Sequence, residues 1–468
     1  MTANSIHHVD MEKEKTPDIS RVESGTHEVT PTITYTAAEE AAVKRKQDLV
    51  ILPLCAGIYF LCNLDRSNIG NTRILNSSTH NDMQTETHTT ATQFNIALMI
   101  FLIGYAFLMF TWGAITISLG GVNNYSQVTA VRFLLGMSEA GLFPGLVYYL
   151  TFWYKTSERS VRVAFILASA TLAGAFGGAI AYGVGHMNQA LGHSAWRWLF
   201  IVEGAPSCLS AFFVWFFLPD YPEEWHAAGS RDRDIALHRL GVEGSKSRDR
   251  SMSWEDARAT LVDWRLYGHY LVYFGVSVPF SSLSLFTPAI VSGLGYFDLK
   301  AQLMTVPPYA VAYVTQILVS YSADRFNARG LHAAALATVG AVGFIASACL
   351  PPDDYLHRYG CLIVASAGSF ACIPPMLGWL TSNVYSTASV GLAIAINVGF
   401  GAGCGQIPGV WIYKADEKSR GYPTGHWTNA GMLLFVAAGC LGLRVLYGVR
   451  NARMVREAGG QEVRLFRL

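Results

Sequence analysis

The sequence predicts an all-α, multi-pass membrane protein of two helical bundles joined by a polar linker. Three observations carry that prediction. Apolar residues make up 51% of the 468-residue chain and charged ones only 14%, against about 25% in soluble proteins. No Asp, Glu, Lys or Arg occurs between Arg265 and Asp298, or between Arg358 and Lys414. Such runs suit a bilayer, where one helical crossing takes about 20 apolar residues. From Pro219 to Arg265 the chain turns polar and charged, as in Arg231-Asp232-Arg233-Asp234, which reads as a cytoplasmic linker. A net charge of +1 gives no reason to expect a nucleic-acid partner.

Taken in order, residues 1–47 are polar and mixed in charge, and predict a disordered cytoplasmic tail. No cleavable signal peptide is expected, because the first apolar run begins at Leu49. The first bundle, 48–218, holds spans near 49–70, 94–121, 126–153, 163–187 and 197–218. After the first of these, Asn76-Ser77-Ser78 would accept a glycan if it faced outward. The linker covers 219–265. The second bundle, 266–450, holds spans near 268–293, 302–323, 331–350, 359–381, 388–413 and 428–448, and 451–468 forms a second cytoplasmic tail. That makes about 11 apparent spans.

Short loops rich in Lys and Arg mark the inner side. They are Lys44-Arg45-Lys46, then Lys155, Arg159 and Arg162, then Asp324-Arg325 with Arg329, then Arg444, Arg450, Arg453 and Arg456. The second bundle fits that orientation with both ends inside, but five spans leave the first with odd parity. The stretch 94–121 is too long for one plain helix and too short for two, which together need about 45 residues with their turn. Both its flanking loops ought to face outward, so most of one hairpin and its inner loop is missing at about Phe107–Thr111.

Four ionisable residues fall inside apolar spans: Asp65, Arg66, Arg132 and Glu139. A charge at mid-bilayer costs about 3 kcal/mol or more, and is kept mostly where it lines a cavity, finds a partner or relays protons. Arg132 and Glu139, seven apart, share one helix face about 10 Å from each other. Arg132 can then grip a carboxylate with a two-pronged fork while Glu139 titrates nearby. A static ion pair joining two helices is the competing reading. Asp65 and Arg66 diverge by about 100°, so one can face a cavity while the other reaches a neighbouring helix.

The second bundle is expected to bury no charge, so its share of a central site must be neutral. Asn397 and Gln406 are the first candidates, with Tyr309, Tyr313, Gln316, Ser281 and Ser282 behind them. Each alone is more often a helix–helix hydrogen bond. The pairs Gly141…Gly145, Gly174…Gly178, Gly399…Gly403 and Gly401…Gly405 predict close helix approach. Pro144, Pro279, Pro288, Pro307-Pro308, Pro374-Pro375 and Pro408 predict kinks. The eight cysteines lie in or beside apolar spans without metal-ligand spacing and read as packing residues.

Several of these stretches are also familiar as motifs. Tyr59-Phe60-Leu61-Cys62-Asn63-Leu64-Asp65-Arg66-Ser67-Asn68-Ile69-Gly70-Asn71 resembles the first-helix signature of the anion:cation symporter family of the major facilitator superfamily. The stretch from Arg132 through Glu139 and Pro144 to Gly145 resembles that family's fourth helix. Trp153-Tyr154 with Glu158-Arg159 is similar to its next inner loop, and Leu218-Pro219-Asp220-Tyr221-Pro222 to the exit of its sixth helix. Allantoate, nicotinate and pantothenate permeases belong to the family. The resemblance implies a major facilitator fold of two six-helix halves, the first short by most of one hairpin. It implies no cofactor, no metal and a monomer in the plasma membrane.

By the same resemblance Asp65 and Glu139 couple protons, and Arg132 and Arg66 bind substrate. Asp324, Arg325 and Arg329 belong to an inner gating loop whose first-bundle counterpart is absent. The expected function is therefore proton-coupled uptake of a small organic anion, with proton and anion as partners. The alternative is a truncated or sensor-like relative without flux. A channel leaves the one-sided acid–arginine pairs unexplained. An enzyme would need a nucleophile, metal cluster or cofactor motif, and His186 and His193 stand without one.

Overall fold

The computed structural model describes residues 35–72, 83–87, 112–139, 141–219, 222, 225, 230–240, 254–296, 298–384, 387–458 and 465–467. The expected gap at Phe107–Thr111 and the sequon at Asn76 lie outside the described residues. These residues are overwhelmingly helical, with one isolated bridge between Ala190 and His193 as their only β pairing. Among the described residues nine helices are long and apolar enough to cross a membrane.

The first helix, α1 (Ala37–Thr72), starts well ahead of the boundary that hydropathy places at 48. The reason is a capping box. The Thr36 backbone N–H donates to Glu39 Oε2 at 2.8 Å, and the Glu39 N–H to Thr36 Oγ1 at 3.2 Å. The end of the expected disordered tail is therefore helical. A short α2 (Trp112–Leu119) follows, then α3 (Tyr125–Glu139) and α4 (Leu142–Trp153) where one span near 126–153 was expected. Pro144 explains the start of α4: its missing N–H is harmless only in a first helical turn. Next come α5 (Thr156–Gly185) and α6 (Ala195–Phe217).

The linker is not featureless. It carries α7 (Arg231–Leu240), which buries Ile235, Ala236 and Leu240 and packs against α1. Past it lie α8 (Trp264–Gly293), α9 (Val306–Arg325) and α10 (Arg329–Cys349). The span near 359–381 divides into α11 (Tyr355–Ala371) and α12 (Ile373–Ser382), with Pro374-Pro375 opening the second. The span near 388–413 divides into α13 (Thr387–Ile396), a π-helical stretch from Asn397 to Cys404, and α14 (Gly405–Trp411). Finally α15 (Pro423–Glu457) runs beyond the boundary expected at 450. Leu465–Arg467 return to it, with Trp379 Nε1 donating to the Arg467 carbonyl at 2.7 Å.

Helices from before and after the linker pack directly, α5 on α9 and α12, α1 on α8, and α4 on α13. Gly174 and Gly178 permit the α5 contact. A Cβ at Gly174 would stand 2.6 Å from Tyr309, and one at Gly178 would stand 2.7 Å from the Gln302 carbonyl. At the opposite end of α5 a polar network joins α1 and α7. Lys44 pairs with Glu158 at 3.1 Å, Lys155 with Glu40 at 2.9 Å and Arg162 with Asp48 at 2.7 Å, while Arg239 bonds Glu158 and, at 3.0 Å, Gln47. Lys44, Lys155 and Arg162, three of the basic residues read from sequence as marking the inner side, thus gather in space.

Two outcomes follow. Gly178→Ala should cost about 1–3 kcal/mol of stability through overpacking, because the obstructing atom is backbone. A melting curve in detergent indistinguishable from the parent's would refute this reading of the contact. Burial opposes the charge on Glu158, but Arg239 and Lys44 outweigh it and hold the carboxyl below its ordinary 4.5. Its stabilising share is therefore present above about pH 4.5 and lost as the pH falls below that. Glu158→Gln should flatten the acid limb of the stability–pH profile, measured by thermal melting.

Candidate functional site

α1 brings Asp65 and Arg66 to one level of the bundle, and α3 brings Arg132 and Glu139 to the same level. Asp65, Arg132 and Glu139 are completely buried. The guanidinium Nη2 of Arg66 stands 3.6 Å from Glu139 Oε2, an ion pair slightly too long for a hydrogen bond. Asp65 turns the other way, as the 100° divergence requires, and its Oδ2 accepts from the Ser207 hydroxyl of α6 at 2.9 Å. The neighbours on α1 have thus separated: Arg66 faces a cavity and Asp65 a helix.

That cavity consists of two adjoining hollows sharing Arg66, Ala170, Phe280, Phe370 and Gln406. Arg132, Asn63 and Ser67 line the second hollow, facing Ser281, Ser284 and Tyr309 of α8 and α9. Tyr59, Phe143 and Thr171 line the first, facing Tyr273, Ser277 and Gln316. Among the described lining residues, charge therefore comes only from α1 and α3. The opposite wall supplies aromatic rings, hydroxyls and two amides. Phe370 packs against both Phe280 and Tyr309, ring centroids 5.5 Å apart in each case, and Tyr59 against Phe143 at 5.1 Å. Gln316 is fixed by Thr171, whose hydroxyl donates to its Oε1 at 2.7 Å. That bond ties α5 to α9 across the hollow.

The sequence-predicted residues fall into three groups. Arg66, Arg132, Gln406, Tyr309, Gln316 and Ser281 line the hollows. Asp65 and Glu139 are buried just behind them. Asn397, Tyr313 and Ser282 do not line either hollow: Asn397 is buried in the π-helical stretch, and Ser282 is hydrogen-bonded to Asn429. The inner-loop residues lie elsewhere, at the α9–α10 turn. Arg329 donates to Asp324 Oδ1 at 2.7 Å and to the Gly378 carbonyl at 3.3 Å, and Arg325 is exposed.

Two expectations need correcting. The second bundle does bury charge, at Arg329, Arg358 and Glu417, but at helix ends and a loop, where backbone carbonyls, Asp324 and Thr424 satisfy it. The first bundle buries a fifth ionisable residue within a span, Glu203 of α6, at 3% exposure. The signal was present: Glu203 is the one Asp or Glu between Arg197 and Asp220. Among the described residues no cluster of His, Cys, Asp or Glu could hold a metal ion.

Buried charges around a polar-floored cavity, framed by bilayer-length helices, define a multi-pass membrane transporter. Comparison with known proteins gives the family. Residues 114–410 match the sequence profile of the Major Facilitator Superfamily. The chain is 66% identical to the MFS transporter prlL of Fungal sp. (strain NRRL 50135), covering 96% of this chain and 95% of that one. It is 28% identical to the high-affinity nicotinic acid transporter of Saccharomyces cerevisiae, covering 81% and 73% respectively. The xylose transporter XylE from E. coli, in a partially occluded inward open conformation, superposes with a TM-score of 0.60 at 14% identity, covering 84% of this chain and 97% of that one. The chain belongs to the Major Facilitator Superfamily, and its relatives are named as transporters, not enzymes.

Removing one partner of a buried ion pair costs about 3–5 kcal/mol, because the other charge is left uncompensated. Arg66→Ala should therefore destabilise strongly, and adding Glu139→Gln should recover part of the loss. Denaturation of the four proteins in a double-mutant cycle measures the coupling, expected at about 0.5–3 kcal/mol. Strict additivity would show that the pair does not act as one.

Proposed function

We propose that the protein is a proton-coupled secondary transporter for a small organic anion, working in the plasma membrane by alternating access between two helical halves, the first short by most of one hairpin. The observation that carries this reading is the Arg66–Glu139 pair at the rim of the hollow, with Arg132 lining the same space. A carboxylate entering the hollow would compete with Glu139 for Arg66. Loss of that partner favours a proton on Glu139, so anion binding and protonation are linked through one guanidinium. The aromatic wall of Phe280, Phe370 and Tyr309 suits a planar or largely apolar body attached to the carboxylate. The relative named for nicotinic acid supports a carboxylate of that kind. Proline-divided helices and the π-helical stretch beside the hollow suit rocking around a fixed site.

The test is uptake into proteoliposomes under an imposed pH gradient, screened over nicotinate and other small carboxylates. Flux that follows the proton gradient supports the reading, whereas binding without flux supports a sensor. Arg132→Lys and Arg66→Lys should each weaken transport at least about tenfold, since a point charge cannot replace a bidentate fork. Glu139→Gln and Asp65→Asn should abolish gradient-driven accumulation while sparing counterflow. Undiminished accumulation in both acid variants would remove them from the coupling mechanism.

A further inference from the structure

Behind the hollow, where α1 packs on α6, Glu203, Asn68 and Ser207 are buried polar residues that the transport reading above leaves unused. Glu203 lies on α6 one helical turn from Ser207, and Ser207 connects it to α1. The Ser207 hydroxyl lies 2.9 Å from Asp65 Oδ2 and 3.2 Å from the Glu203 backbone carbonyl. The Asn68 side chain of α1 faces Glu203 and is completely buried. Among the described residues, neither carboxylate oxygen of Glu203 and neither amide atom of Asn68 has a hydrogen-bond partner of good geometry. A buried acid and a buried amide are thus left facing each other with spare donors and acceptors. Native proteins rarely leave such groups without a ligand, water or proton to join them.

Charge balance says which. The buried level of the bundle holds three acids, Asp65, Glu139 and Glu203, and two guanidiniums, Arg66 and Arg132. Glu139 has Arg66 at 3.6 Å, and Arg132 lies on its own helix. Asp65 has hydroxyls beside it, Ser207 and Thr116, with Arg132 and Glu139 acting on it from α3. No hydrogen bond or ion pair joins the Glu203 carboxylate to a cation among the described residues. An unpaired carboxylate in a dry interior is expensive, and the ordinary remedy is to take up a proton.

We propose that Glu203 holds a proton in a site behind the substrate hollow, beside Asn68 and one helical turn from the Ser207 that bonds Asp65. A protonated Glu203 donates to the Asn68 amide oxygen, and Ser207 offers its hydroxyl to the ionised Asp65. Only an O–H bond forms or breaks when the proton enters or leaves. The site extends the proton-coupling reading, since Asp65 and Arg66 are adjacent on α1. A proton arriving behind Arg66 would alter the field in which that guanidinium holds Glu139 or an anion.

Infrared difference spectroscopy of the full-length protein in lipid vesicles tests the site without any flux. The parent at pH 7 should show a carbonyl band of a protonated carboxyl that shifts in heavy water. Glu203→Gln should lose it. Asn68→Ala keeps both acids and should shift its frequency, which covers the case where Glu203→Gln does not fold. An unchanged band in either variant, or no such band in the parent, overturns the proposal. So does a band that disappears when sodium replaces potassium at constant ionic strength, since the site would then bind a metal cation. Proton binding here with no transport would sink the symport reading alone.

Discussion

Everything about the centre of this molecule follows from the difficulty of keeping a charge away from water. Arg66 and Glu139 can remain buried because each reduces the other's desolvation cost, though such a pair adds little net stability. What the pair does supply is sensitivity. Break it, by substitution or by an anion that takes the guanidinium, and the partner is left in a state the surroundings cannot support. The same constraint orders the neighbourhood. Arg132 stands on the helix that carries Glu139, Asp65 turns toward Ser207, and no helix beyond the linker contributes a charge to the hollow. A buried ion pair used as a structural rivet would be sealed on every side. This one opens onto a cavity.

For the organic-anion transport proposed above, the opposite wall would supply the selectivity. Phe280, Phe370 and Tyr309 form a continuous aromatic surface, while Gln316 and Gln406 supply amide donors and acceptors. Arginines facing each other across a cavity would favour any anion. Arginines facing rings favour anions with an apolar body, because only those bury the rings as they bind. The Thr171–Gln316 hydrogen bond spans the two sides. Under the alternating access proposed above, relative motion of α5 and α9 would strain that bond.

How much of this was legible beforehand depended on which interactions are local. The membrane class, most helix positions and the buried residues Asp65, Arg66, Arg132 and Glu139 could be read from hydropathy and run length. The facing of Asp65 and Arg66 could be narrowed to opposite directions by helix geometry, but not assigned, since that depends on what α3 and α6 present to them. The partner of Glu139 was open for the same reason: seven-residue spacing set Arg132 and Glu139 on one face about 10 Å apart, whereas the contact at 3.6 Å comes from Arg66 on another helix. Glu203 was visible as a lone acid between Arg197 and Asp220, yet tryptophan and phenylalanine on either side made the segment read as an ordinary span. The early start of α1 was also in plain view. Thr36 and Glu39 have capping-box spacing, but a hydropathy window is blind to caps.

Breaks in helices were harder to anticipate than helices, and they lie where the function would need them. Proline marked candidate positions without deciding the outcome at each. Pro279 and Pro288 are carried inside an unbroken α8, while Pro144 and Pro374-Pro375 open new helices. The difference lies in whether the carbonyls released by each proline find other partners, which is a tertiary matter. The π-helical stretch from Asn397 to Cys404 has no proline of its own. It is glycine-rich, and Gly401 packs against Tyr273, a residue of the first hollow. The extra residue per turn costs regular hydrogen bonding, and the stretch and α14 pack on α8 at the cavity wall. A helix that is already irregular there can change its winding at less cost than a regular one. That places the most adaptable backbone on the side of the hollow that carries no charge, opposite a pair whose geometry must be kept.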